Sequence, residues 1–274
     1  MDDRPVVFLD SGLGSLPYGS FFHSHNAAEK LICLADRANF PYGSKSSENL
    51  ISLLDELTSK LVSFYNPKIL VLACNTASVT ALAFLREKYT AFPIVGTVPA
   101  VKPAVTASRT RRVGILGTER TIDDPYIRVL AERFGPDCDI MAEAAPELVQ
   151  FVEGRYASST SAQRSAVVSP YVEKFRTSGV DSVVLGCTHF LLLLDEFRMA
   201  AGNDMAVFDS VEGVCRRVEA ILDEEEGVLR AGRAANGKEP LLVVTGGYSL
   251  ESYWEQFSTR FGFSLRQATE CGFQ

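Results

Sequence analysis

The stretch KILVLACNTASV, residues 68 to 79, runs from six mostly apolar residues into a cysteine and two small hydrogen-bonding residues. KILVLA lacks polar alternation, which is the pattern of a strand covered on both faces of a parallel sheet. NTASVTALAFL, starting at Asn75, reads as the beginning of a helix. DSVVLGCTHF, residues 181 to 190, repeats the arrangement, with Cys187 followed by Thr188 and His189 and then by THFLLLLDEF, a second helix start. A buried strand that delivers a cysteine straight into a helix, twice in one chain, sets the frame for everything else.

Working outward, the same kind of apolar run recurs along the chain. PVVFL (5–9), KLICLA (30–35), PIVGTV (93–98), RVGILG (112–117), MAVFD (205–209) and LLVVT (241–245) join KILVLA (68–73) and SVVLG (182–186) as expected strands. Helical patterns lie between them. In residues 46 to 66, Leu50, Leu54, Leu57, Leu61 and Phe64 form one stripe at helical spacing, with Ser46 or Ser47 as N-cap and Asn66–Pro67 as the stop. SPYVEKFRTSG, 169 to 179, is a second helix ending at a glycine. Strand–helix alternation of this kind predicts an α/β fold, doubly wound, with mainly parallel sheets.

Composition narrows the function. The chain has 274 residues, 46% of them hydrophobic, enough for one large core or two domains of roughly 130 residues. A net charge of −7 with mixed signs argues against a nucleic-acid or membrane-surface binder. The densest basic cluster, SRTRR at 108 to 112, reads as the decoration of a turn, and DEEE at 223 to 226 as a solvated face. No run approaches the roughly 18 apolar residues of a membrane span. MDDRPVVF starts acidic and passes directly into a strand, unlike a signal peptide. The six cysteines form no CxxC pair and no regular disulfide spacing, which fits a reduced, cytoplasmic setting.

Ligands of doubly wound sheets bind beyond the carboxyl ends of the strands. Small polar and reactive residues follow the expected strands there: Asp10 and Ser11, then Cys74, Asn75 and Thr76, then Thr118, then Cys187, Thr188 and His189. A free cysteine is most often a small buried hydrophobe, and that reading holds for Cys33, Cys138, Cys215 and Cys271. For the matched pair, Cys74 and Cys187, three chemistries stay open. Two thiolates with His189 have ligand types suited to a metal, although no fourth ligand stands out. A thiol–disulfide switch is the second, with its partners unusually far apart in sequence. The third is acid–base work on the two faces of one carbon. A thiol of unperturbed pKa about 8.5 can be tuned to serve as either base or acid near neutral pH. Helix N-termini would lower the thiol pKa, and their amides with Asn75, Thr76, Thr118 and Thr188 would bind a carboxylate. His189 would activate or reprotonate Cys187, although alone it reads equally well as a capping or packing residue. His23 and His25 lie outside every motif and receive no role.

LDSGLGS (9–15), DRANFPYG (36–43), ACNTAS (73–78), VPAVKPA (98–104), GTERT (117–121), FVEG (151–154) and GCTHF (186–190) together resemble the cofactor-independent glutamate racemases, in the family's order and across nearly the whole chain. The resemblance implies two α/β domains with the active site in the interdomain cleft: residues 1–98, completed by 210–274, and residues 99–209. It implies Cys74 and Cys187 as catalytic thiols, the first deprotonating the D-isomer and the second the L-isomer. Asp10 then assists the first thiol and pairs with the substrate ammonium, while Glu153 and His189 assist the second. The positions matching substrate contacts are Asp10, Ser11, Pro41, Tyr42, Gly43, Asn75, Thr76, Thr118, Thr121, Thr188 and His189. Glutamate is the implied substrate, with no cofactor and no metal, and the implied purpose is D-glutamate for peptidoglycan. A homodimer is a candidate assembly, since dimers are common in that family. VPAVKPA is similar to the version in which a peptidoglycan precursor binds as activator, which makes such a precursor a candidate ligand. Two departures are Ser15, where a second glycine is usual, and Asn39, near a usual arginine. The rival readings are an aspartate or other amino-acid racemase of the superfamily, a decarboxylase relative, and a non-catalytic binder of small dicarboxylates. His189, where aspartate-specific relatives tend to carry glutamate, favours glutamate, and the presence of both thiols disfavours the decarboxylase.

Overall fold

Residues 46 to 66 show how this sequence builds its layers. Ser46 accepts a hydrogen bond from the Asn49 amide and opens the helix Ser47–Tyr65; Asn66, with φ of 45°, closes it in the left-handed conformation. Leu50, Leu54, Leu57 and Leu61 are buried against the sheet residues Val7, Leu9, Ile32, Leu34, Leu70 and Leu72. Each such leucine contributes about 1.5–3 kcal/mol relative to exposure. Phe64 departs from the expected stripe. It sits at the stripe's margin in the last turn and remains 46% exposed.

The computed structural model describes residues 2–224, 230–231, 239–246 and 252–268. Among the described residues there are ten strands: β1 (Val6–Asp10), β2 (Leu31–Ala35), β3 (Ile69–Leu72), β4 (Ile94–Gly96), β5 (Arg112–Gly117), β6 (Asp139–Ala144), β7 (Ser182–Leu185), β8 (Ala206–Phe208), β9 (Leu241–Val244) and β10 (Ser264–Gln267). The chain divides into two compact units, Met1–Thr97 with Val211–Gln274, and Val98–Ser210. The first holds a sheet in the order β10-β9-β2-β1-β3-β4 and the second a sheet in the order β6-β5-β7-β8. Every pairing in both sheets is parallel. This is an α/β fold.

The strand orders locate the functional edges. In the first sheet the chain steps from β1 to β2 in one direction and from β3 to β4 in the other, so β1 and β3 are neighbours at a topological switch. In the second sheet β5 leads to β6 one way and β7 leads to β8 the other, so β5 and β7 flank the switch. Helices leave such adjacent strands on opposite faces and open a crevice at their carboxyl ends.

All eight expected strands are present. Two more, β6 (DIMAEA) and β10 (SLRQ), carry no apolar run. Both lie at sheet edges, and neither has a fully buried residue. The helix expected over 169–179 begins earlier, at Ser161, with a capping box formed by Thr160 and Gln163, and runs to Thr177 through Pro170. Gly179, at φ of 74°, supplies the left-handed turn beyond it. After Cys187 the chain winds first as a 3-10 segment, Thr188–Leu193, and only then as the helix Leu194–Ala201. All six residues of that segment are buried. SRTRR is a turn, stapled by Asp181, which accepts from the Ser108 hydroxyl and the Arg109 and Thr110 amides. Within DEEE, Asp223 and Glu224 are exposed, while Glu225 and Glu226 lie outside the described residues, as does Cys271. Among the described residues no helix is long and apolar enough to cross a membrane.

Candidate active site

In the first unit, β1 ends in Asp10 and β3 leads through Ala73 to Cys74, one on each side of the switch. Asp10 is fully buried, and its Oδ1 accepts from the Gly12 amide at 2.8 Å and the Gly14 amide at 3.2 Å. LDSGLG therefore wraps its own carboxylate and points it at the strand ends. Cys74 has extended backbone and stands as the N-cap of the helix Asn75–Lys88. Its position is set from below. The Leu72 carbonyl accepts from the Ser78 hydroxyl at 3.1 Å and the Thr97 hydroxyl at 2.8 Å, which lock the end of β3 to the end of β4. Ser11, Asn75 and Thr76 are buried alongside. Among the described residues the Asn75 carboxamide has no hydrogen-bond partner at either its nitrogen or its oxygen. A buried polar group left in that state is costly unless something else fills the role.

Tyr42 joins this edge through a residue to which the sequence reading gave no role. Asp36, 1% exposed, follows β2 and accepts from the Tyr42 hydroxyl at 2.8 Å. Burial pushes the Tyr42 phenol well above its ordinary value, and the negative charges of Asp36, Cys74 and Asp10 push the same way. Tyr42 is thus held as a neutral donor in a pocket of acidic groups. The Asn39 carboxamide donates to both Asp36 oxygens, at 3.1 and 3.0 Å, and Thr245, just beyond β9, donates to Oδ1 at 2.7 Å. Asn39, one of the two departures from the family pattern, is therefore part of the loop's own wiring. Pro41 is exposed and Gly43 half-buried in the same loop. Ser15, the other departure, is fully buried, and its hydroxyl has no hydrogen-bond partner among the described residues. The strand-end rule that singled out Asp10 and Cys74 would have reached Asp36 and Thr245 had it been applied to the ends of β2 and β9.

In the second unit, Gly186 carries the chain from β7 to Cys187. Its amide donates to the Leu116 carbonyl at 2.6 Å, and a Cβ there would stand 3.0 Å from that oxygen, so the close approach suits glycine. Cys187 Sγ lies 3.9 Å from His189 Nδ1, and His189 Nε2 lies 2.7 Å from Glu153 Oε1. All three side chains are buried. Glu153 comes from the helix Pro146–Gly154, so the trio is assembled across 36 positions of sequence. The roles of the two ring nitrogens depend on the tautomer; the one with its proton at Nε2, facing Glu153, would turn a lone pair at Nδ1 toward the sulfur. A carboxylate, an imidazole and a thiol thus stand in line, each within hydrogen-bonding reach of the next. Thr118, N-cap of the helix Glu119–Asp123, shares a hydrogen bond of 3.0 Å with the Thr121 hydroxyl at the end of β5. Thr188 is buried next to Cys187.

The other described thiols have different surroundings. Cys33 donates to the Ser15 carbonyl and Cys215 to the Tyr18 carbonyl, both deep against the helix Ser15–His25. Burial pushes the Cys33 thiol far up and the Cys215 thiol up to about 12, so both are inert. Burial also raises the half-buried Cys138. The five described cysteines are free, and among the described residues no cluster of three or more His, Cys, Asp or Glu side chains could hold a metal ion.

The fold of this chain is shared with solved glutamate racemases. The enzyme from Escherichia coli, crystallised with L-glutamate and the activator UDP-MurNAc-Ala, superposes with a TM-score of 0.81 at 28% identity over 96% of this chain and 97% of that one. An isoform from Bacillus anthracis gives 0.82 at 25% identity over 98% of this chain and 99% of that one. Residues 25–218 match the model of the Asp/Glu/Hydantoin racemase family, and the chain belongs to that family. Among curated relatives, the glutamate racemase of Sphingopyxis alaskensis is 35% identical over 91% of this chain and 96% of its own. That of Treponema pallidum is 39% identical over 79% and 82%.

Proposed function

We propose that the protein interconverts L- and D-glutamate without a cofactor, with Cys74 and Cys187 as its two proton-transfer groups. The observation that carries this reading is the placement of a buried thiol at the switch point of each sheet, one beside Asp10 and one backed by His189 and Glu153. The glutamate racemase relatives, which match most of the chain, support the choice of substrate.

The difficult step is removal of the α-hydrogen, which is only weakly acidic. In the proposed mechanism one sulfur is a thiolate that takes this proton, while the other is a thiol that returns a proton to the opposite face. The configuration inverts and the two sulfurs exchange protonation states. Glu153 holds His189 in the tautomer that accepts from Cys187, so this thiol is discharged and recharged through the imidazole. Asp10 balances the substrate ammonium. As the α-carbon gains negative charge, the substrate carboxylate takes on enolate character and needs donors in a dry setting. The unpartnered Asn75 carboxamide and the hydroxyls of Thr76 and Thr188 fill that part. Losing one such donor typically costs about 3 kcal/mol of barrier.

The purpose that fits is supply of D-glutamate to peptidoglycan in the cytoplasm, where free thiols remain reduced. A uridine-diphosphate muramic acid precursor is the matching activator candidate, on the likeness of VPAVKPA and of the Escherichia coli enzyme. Circular dichroism of either glutamate enantiomer incubated with the purified protein tests the central reading. Decay of the signal to zero from both sides supports it; a static signal with glutamate, or decay only with aspartate, overturns it. Equal rates with and without the precursor would remove the activator.

A further inference from the structure

The loop that follows β2 is tied to a hydroxyl from a distant part of the chain. Thr245 Oγ1 donates to Asp36 Oδ1 at 2.7 Å and accepts from the Ala38 amide at 3.1 Å. Its own amide donates to the Ala35 carbonyl at 3.0 Å, continuing the β2–β9 ladder by one residue. One side chain thus bridges the two sides of the turn at residues 36 to 38. Asp36 in turn holds Asn39 and the Tyr42 hydroxyl. The order of contacts runs from β9 through Thr245 and Asp36 to Tyr42, which packs in the same buried cluster as Cys74.

From this connection we propose that Thr245 is a positioning residue for substrate binding, which presets the loop of residues 36 to 43. The inference rests on the racemase reading, in which Tyr42 and Gly43 contact glutamate. Thr245 acts by removing a freedom that the loop would otherwise lose when substrate binds. An ordered loop binds more tightly because the ordering has already taken place. Only a hydroxyl does this work, since the residue must donate to a carboxylate and accept from an amide at one atom.

The test compares Thr245→Val, which keeps the shape and removes the hydroxyl, with Thr245→Ser, which keeps the hydroxyl. Each is measured with both glutamate enantiomers, well below its melting temperature. Losing a part-buried hydrogen bond to a carboxylate has a measurable cost. Part of that falls on loop order, so T245V should raise KM at least about fivefold for both enantiomers with kcat changed less. T245S should restore KM to within about twofold of the parent. Hydrogen exchange of the peptide spanning residues 36 to 45 should speed up in T245V alone. Unchanged KM and unchanged exchange in T245V overturn the assignment and leave the racemase reading intact. So does a loss confined to kcat, or a T245S variant as impaired as T245V. If the parent protein racemises no glutamate, the racemase reading falls, and the role given to Thr245 falls with it.

Discussion

Replacing Glu153 by glutamine removes a charge and keeps the shape of the side chain. In the parent protein Glu153 Oε1 lies 2.7 Å from His189 Nε2, and both side chains are almost completely buried. Hydrogen bonds to a charged partner contribute about 1.5–3 kcal/mol, against about 0.5–1.5 for neutral pairs. The substitution therefore weakens the hold on His189 by about 1–2 kcal/mol. The carboxamide can also turn its NH2 toward Nε2, which moves the ring proton to Nδ1 and leaves Cys187 with no acceptor. If the full difference is felt in the transition state, kcat/KM falls by about 5–30-fold. The fall must be equal in the two directions, because enantiomers have equal free energies in water and the substitution cannot shift an equilibrium constant of unity. Initial rates from pure L- and pure D-glutamate, followed by circular dichroism, give both values. Glu153→Ala, which removes this acceptor from the buried imidazole, should be worse than the glutamine variant. A glutamine variant within about twofold of the parent would refute the proposition that Glu153 sets the state of His189.

Cys74→Ser and Cys187→Ser should each abolish racemisation, since a serine hydroxyl is too weak an acid and base for either role; near-parent rates in both would end the two-thiol scheme. In deuterated water the product enantiomer should carry deuterium at its α-carbon, read by mass spectrometry, and product lacking it would point to another mechanism. Lys68 is wholly buried on Glu29 at 2.5 Å and also donates to the Asp2 carbonyl at 3.1 Å, so Glu29→Ala, which removes the charge opposite a buried ammonium, should destabilise the fold by about 3–5 kcal/mol in chemical denaturation, and a change under 1 kcal/mol would contradict this. Burial opposes the charge on Asp181, but its hydrogen bonds from Ser108, Thr110 and Arg109 outweigh that opposition and hold the carboxyl below its ordinary value. A depressed carboxyl stabilises the folded state above the unfolded pKa of about 3.9 and loses that contribution as pH falls through the folded value. The melting-temperature gap between the parent and Asp181→Asn should accordingly be widest near neutrality and close below about pH 4; a gap independent of pH would disprove it.

The sequence alone settled the parallel sheets and the two thiol positions, because both are written in local chemistry. A strand covered on two faces must be apolar throughout, as in KILVLA and SVVLG, and the residue that follows it must face the ligand edge. The edge strands β6 and β10 were invisible by the same logic, since one side meets solvent and no apolar run is needed. What only the tertiary structure decided were contacts between residues far apart in the chain. Strand order, which put β1 beside β3 and β5 beside β7, is a property of crossovers and not of any strand's composition. The pairing of Glu153 with His189 across 36 positions depends on where the helix Pro146–Gly154 packs. The link from Thr245 to Asp36 spans 209 positions and exists because β9 adds to the edge of β2. A hydroxyl or a carboxylate has the same local signature wherever it occurs. Its partner is chosen by the fold, which buries both and leaves each no better neighbour.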